Sequence, residues 1–138
     1  MYANENLPIV RTPVTVPTLQ AMKDRGERIA TLTAYDASFA RAMDAAGIDA
    51  VLVGDSLGMV IQGAGNTVSV SVDDMIYHSR CVANGLQSAL LIADMPFQSY
   101  ADPGRALTVA ARLLAEGRAG MVKLEGAGFV LEAIEYLS

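Results

Sequence analysis

Asp55 and Asp94 each close a short, nearly uninterrupted apolar run, DAVLVG (49–54) and SALLIAD (88–94). A carboxylate at the end of a buried strand must be paired, hydrogen-bonded or metal-bound, because leaving a charge bare there is expensive. Two such groups on neighbouring strands would point into one cavity. A hard divalent cation such as Mg2+ prefers one or two carboxylates together with waters and substrate oxygens, so the pair reads as a cation site. The bland reading is that each aspartate caps the helix that follows. Lys123 lies inside a further apolar run, MVKLEG (121–126). An ammonium there costs desolvation unless an anion meets it, and either an internal carboxylate or a substrate carboxylate would serve. Glu125, two residues on, shares the face of Lys123. Ser56 follows Asp55 and can offer a hydroxyl and a backbone N–H to a carboxylate, or can be a simple turn serine.

These groups are useful together only if the chain brings the ends of its apolar runs to one side. The pattern predicts that it does. RIATLTAY (28–35) is rich in β-formers and reads as a strand ending at Tyr35 and Asp36. The runs 49–54, 88–94 and 119–126 suit parallel strands buried on both faces. Helical stretches lie between them. In 36–47, Asp36 caps, Gly47 stops, and Phe39, Met43 and Ala46 share an apolar face. Ser71 and Gly85 bracket 72–85. In 102–117, Asp102 caps, Pro103 takes the first position and Gly117 stops. A last helix runs from near Gly128 to Leu137, and a short first one, LQAMKDRG, has Thr18 as its cap and Gly26 as its stop. Alternating strands and helices predict a parallel sheet covered by helices. Right-handed crossovers make it either an open doubly wound sheet or part of a barrel, and periodicity alone does not choose. In both, functional groups gather at the carboxyl ends of the strands, and all four strand ends here are polar or charged.

Residues 1–138 read as one domain with an irregular tail over 1–15. Ten Lys and Arg against fifteen Asp and Glu give a net charge of −5, which argues against a nucleic-acid partner. No basic n-region with an apolar h-region opens the chain, and no apolar run nears the ~20 residues of a membrane span. The single cysteine, Cys81, forbids an internal disulfide and suits a reducing compartment. The expectation is a soluble, cytoplasmic chain acting on a small polar metabolite. His78 reads as a half-buried helix residue, Cys81 and the methionines as core filling. Gly126-Ala127-Gly128 lacks the third glycine of a phosphate-binding turn, since Leu131 stands in its place. The glycine-rich stretch 57–71 reads as a lid or wall over the proposed cavity, or as a short excursion packing on a neighbouring subunit.

TAYD (33–36), VGDSLGM (53–59), ADMPF (93–97) and VKLEG (122–126), in this order and spacing, resemble the ketopantoate hydroxymethyltransferase (3-methyl-2-oxobutanoate hydroxymethyltransferase) family. The resemblance covers about residues 17–137. It implies a (β/α)8 TIM barrel, of which this chain supplies an N-terminal helix and about the first four β/α units. It also implies transfer of a hydroxymethyl group from 5,10-methylenetetrahydrofolate to 3-methyl-2-oxobutanoate, giving 2-dehydropantoate on the route to pantothenate and coenzyme A. Carried over motif by motif, Asp55 and Asp94 match Mg2+ ligands, and Glu125 a carboxylate close to the metal. Ser56, Asp94 and Lys123 match the group that holds the oxo acid. The family's catalytic glutamate base and much of its folate-facing wall belong to the second half of the barrel. The resemblance therefore puts the base beyond Ser138, and no residue of this chain is assigned that role. Because a barrel takes ~250 residues and FVLEAIEYLS ends without a helix stop, the expected partner is a complementary C-terminal half or further copies in a homo-oligomer, decameric in the family. Two other readings stand beside it: a Mg2+-dependent 2-oxo acid enzyme of the phosphoenolpyruvate mutase and isocitrate lyase type, and a non-catalytic half-barrel kept for assembly.

Overall fold

The computed structural model describes residues 11–128 and 130–138. Most of the tail expected over 1–15 lies outside them; residues 11–15 carry neither helix nor strand. The order is α1 (Val16–Asp24), β1 (Thr31–Thr33), α2 (Ala37–Ala45), β2 (Ala50–Val53), α3 (Leu57–Val60), α4 (Val72–Ala83), β3 (Leu90–Asp94), α5 (Pro103–Ala115), β4 (Met121–Lys123) and α6 (Val130–Leu137). The strands form one sheet in the order β1-β2-β3-β4, every pair parallel. Successive parallel strands with a helix in each crossover are the arrangement of consecutive (β/α)8 units.

Asp36 accepts from Ser38 and Phe39, Ser71 forms a reciprocal box with Asp74, and Asp102 accepts from Arg105, so the expected caps hold. Three expectations change. The cap of α1 is Thr15, not Thr18; the Thr18 N–H donates to it, and Pro17 fits the first turn because that turn has N–H groups to spare. The left-handed residue after α5 is Arg118, at φ 62°, not Gly117. Gly117 is required for closeness instead, since a Cβ there would lie 2.5 Å from the Leu113 carbonyl. Phe39 is 65% exposed, and the buried residue of α2 is Ala40. Gly85 explains this: a Cβ on it would collide with the Ala37 carbonyl, so the end of α4 sits too close to α2 for a large side chain. In the last turn of α6 the Ser138 N–H and hydroxyl both donate to the Ile134 carbonyl, at 3.1 and 2.8 Å.

The strands do not have both faces buried. Val51, Val53, Leu91 and Ala93 turn toward the helices and join Met75, Val82, Ala106 and Leu113 in the main core. Leu52 and Ile92, one residue out of phase, are half-exposed on the other face. At the amino ends of the strands that second face is covered by Val14 and Leu19, which pack on Ala50, Leu90 and Ile92. Asp44 of α2 ties the start of β3 in place by accepting the N–H groups of Gln87, Ser88 and Ala89. The second face is thus closed at its amino end and open at its carboxyl end.

Candidate functional site

The strand registers align the polar ends. Thr33 pairs with Leu52, Val53 with Ala93 and Asp94 with Lys123. Continued two residues beyond the β1–β2 ladder and one beyond the β2–β3 ladder, they set Tyr35, Gly54, Asp94 and Lys123 in one row across the sheet, on the open face. Gly54 is the gap in that row. A Cβ on it would stand 2.8 Å from the Ser56 hydroxyl and 3.4 Å from Asp94 Oδ2, so the missing side chain makes the space in which those groups sit.

Asp94 is the centre. It is 6% exposed. Its Oδ2 accepts the Asp55 backbone N–H at 3.2 Å, and its Oδ1 lies 2.6 Å from Lys123 Nζ. Lys123 is the one partner of Oδ1 among the described residues, which leaves a second acceptor site on that oxygen open. Burial pushes the Asp94 carboxyl above the usual carboxylate range; Lys123 and the Asp55 N–H oppose that, and the Asp55 charge adds to it. Lys123 also holds Glu125 at 2.5 Å. Burial opposes its charge, but the two carboxylates outweigh burial and hold the ammonium above its ordinary value. Glu125, well exposed, is drawn below its ordinary value by Lys123.

Asp55, Ser56, Asp94, Lys123 and Glu125 are therefore brought to one end of the sheet. Lys123 meets internal carboxylates, as one of its two readings required. Among the described residues no three of His, Cys, Asp and Glu gather as a metal cage. Glu125 stands one ion pair away from Asp94 rather than beside it. Such a set suits a hard cation that keeps waters and takes substrate oxygens, and Asp94 Oδ1, with an acceptor site beyond Lys123, is the atom that fits it. Ser138, after which the resemblance puts the base, is no member of this set: its polar groups are spent on the Ile134 carbonyl at the end of α6.

One group escaped the sequence reading. Tyr35 was visible only as the end of a strand, yet its phenol lies 2.7 Å from Ser56 Oγ. Its carbonyl meets His78 Nδ1 at 2.8 Å, and the two rings stand edge to face. His78 is half-buried, as expected, and anchors the end of β1 to α4. The 57–71 stretch is no free flap: it begins as α3, and Gly58 approaches Val70 so closely that a Cβ would lie 2.6 Å from it. A hollow of about 170 Å3, lined in part by Phe97, Tyr100, Glu125 and Val130, opens beside the row. No helix among the described residues is long and apolar enough to cross a membrane.

The family model described as ketopantoate hydroxymethyltransferase matches residues 13–138. The chain is 58% identical over 125 residues to the 3-methyl-2-oxobutanoate hydroxymethyltransferase of Xylella fastidiosa strain M12, covering 91% of this chain and 46% of that protein. It is 55% identical over 138 residues to the protein of the same name from Alkalilimnicola ehrlichii, covering all of this chain and 50% of that one. The chain thus spans about half the length of the curated relatives it matches. Among solved structures it is similar to 2,3-dimethylmalate lyase, described as a PEP mutase/isocitrate lyase superfamily member, with TM-score 0.68, 17% identity and coverage of 91% and 47%. It is also similar to oxaloacetate acetylhydrolase, with TM-score 0.65, 18% identity and coverage of 89% and 47%. At such identities these two carry the fold alone.

Proposed function

The chain belongs to the ketopantoate hydroxymethyltransferase family, and we propose that it forms the cation- and oxo-acid-holding part of an enzyme that transfers a hydroxymethyl group from 5,10-methylenetetrahydrofolate to 3-methyl-2-oxobutanoate, yielding 2-dehydropantoate. The observation that carries this reading is the buried Asp94 carboxylate, whose Oδ1 pairs with the Lys123 ammonium and keeps a second acceptor site open.

In this reading Asp55 and Asp94 hold Mg2+, and Glu125 is the nearby carboxylate that Lys123 keeps one ion pair away. When bound, the cation supplies Lewis acidity toward the oxo oxygen of the substrate. Lys123 offers positive charge to the substrate carboxylate. Ser56 offers a hydroxyl to the same carboxylate. The covered amino end of the sheet keeps the row rigid, while its open carboxyl end admits a small acid. The apolar hollow beside Glu125 is of a size to take a branched aliphatic tail. A residue outside this set removes the proton next to the oxo group. The whole enzyme works as a homo-oligomer in the cytoplasm, with the remaining wall of the site supplied from outside these residues. The phosphoenolpyruvate mutase-like reading has no observation in its favour beyond shared architecture.

Calorimetric titration of 3-methyl-2-oxobutanoate into the chain tests the proposal. Saturable heat is expected with Mg2+ and little without it. Identical titrations in the two conditions contradict the reading.

A further inference from the structure

The geometry points to Tyr35 as a positioning residue for the oxo acid: its phenol holds the Ser56 hydroxyl over the Gly54 gap with the serine proton turned toward the ligand. This inference rests on the proposed function, because it assigns Ser56 a carboxylate to meet.

Three observations converge. The first is the 2.7 Å separation of Tyr35 Oη and Ser56 Oγ. Either oxygen could donate. A phenol is far more acidic than an aliphatic hydroxyl, so the favoured arrangement has the phenol donating and Ser56 Oγ accepting. The serine proton is then left free, and a serine whose oxygen already accepts is a better donor, because successive hydrogen bonds polarise one another. The second observation is place. Tyr35 stands in the same row as Asp94 and Lys123, and Ser56 Oγ lies where a Gly54 side chain would be, on the side of Asp94 Oδ2. The bond therefore fixes a hydroxyl on the Oδ2 side of Asp94, the carboxylate assigned to the cation.

The third observation is how Tyr35 is itself held. Strand β1 is an edge strand whose three residues are all exposed, so the ladder alone sets its end poorly. His78 corrects this. A carbonyl can only accept, so the 2.8 Å contact fixes the proton on His78 Nδ1. His78 also makes edge-to-face contacts with Tyr35 and Tyr77, which help to orient the imidazole. A purely structural tyrosine would need only its ring; the hydroxyl reaching Ser56 is the part packing does not explain. Tyr35 does not touch the reacting atoms in this account. It acts through Ser56.

A double-mutant cycle on the 138-residue chain tests the inference. The four forms are wild type, Tyr35→Phe, Ser56→Ala and the double variant. Each is titrated with 3-methyl-2-oxobutanoate in Mg2+ by calorimetry. Tyr35→Phe, which keeps the ring, is expected to weaken binding roughly three- to tenfold. In the Ser56→Ala background it should change nothing further. Unaltered affinity in Tyr35→Phe, or the same loss in both backgrounds, overturns the inference and leaves the proposed function standing. A wild type that binds no oxo acid overturns the proposed function and this inference with it. Urea midpoints of the four ligand-free forms give a second readout. They must show coupling between positions 35 and 56; independent effects there also overturn the inference.

Discussion

Strands β2 and β3 each have two neighbours in the sheet, whereas β1 and β4 each have one. The inner pair is buried almost throughout, and the outer pair is exposed or half-exposed. The site divides along the same line. The inner strands deliver the aspartates, from backbone that the core fixes on the helix side. The outer strands deliver Tyr35 and Lys123, whose side chains reach inward to Ser56 and Asp94. The inner strands thus lead into the two aspartates proposed to share a cation, and the outer strands carry side chains that depend on contacts with the inner ones for their position.

This contrast can be broken most directly by truncating matched leucines. Leu91→Ala, in the core of β3, is expected to cost roughly 2–5 kcal/mol in urea unfolding. Leu32→Ala, on β1 and 49% exposed, should cost about 0.5 kcal/mol or less. Equal costs would mean that the outer strand is as firmly built as the inner one.

Lys123→Met is next in size. It leaves Asp94 buried without its cation, so a stability loss of roughly 1–3 kcal/mol at neutral pH is expected. The loss should shrink as acid protonates Asp94, because burial already pushes that carboxyl upward. A pH-independent loss would indicate that Lys123 contributes through packing.

Asp44→Asn probes what supports the inner pair. Burial disfavours the Asp44 charge, but the N–H groups of Ala89, Ser88 and Gln87 and the Ser88 hydroxyl outweigh it and hold the carboxyl below its ordinary value. A depressed folded-state value means that Asp44 adds stability above the ordinary carboxylate range and loses it as pH falls through the folded value. Wild type should therefore exceed Asp44→Asn by about 1–2 kcal/mol at pH 7, and the gap should close below about pH 4. The smallest effect belongs to the outermost pair: Glu125→Gln should shift stability by no more than about 0.5 kcal/mol, since an exposed partner is well screened.

Much of this was readable in advance. The alternation of apolar runs and capped helices, with Asp36, Ser71 and Asp102 at the caps, already implied four parallel strands with polar carboxyl ends. The spacing of Lys123 and Glu125 placed them on one face, and they meet. Two kinds of feature stayed hidden. One is proximity across distant segments: nothing near Phe39 reveals that Gly85 excludes bulk from the inner face of α2, so periodicity alone put Phe39 in the core. The other is register. Tyr35 pairs with Ser56 because β1 and β2 are aligned as they are, and a tyrosine ending a strand carries no local sign of it. The clue available was the glycine at position 54, a residue that costs a strand end stability unless something needs the space.

The central claim is that Asp94 is the cation's ligand. Calorimetric titration of Mg2+ into wild type and Asp94→Asn, without oxo acid, measures it, since asparagine keeps the shape and removes the charge. The account predicts saturable binding in wild type and at least tenfold weaker binding in the variant. Indistinguishable titrations of the two proteins would contradict it.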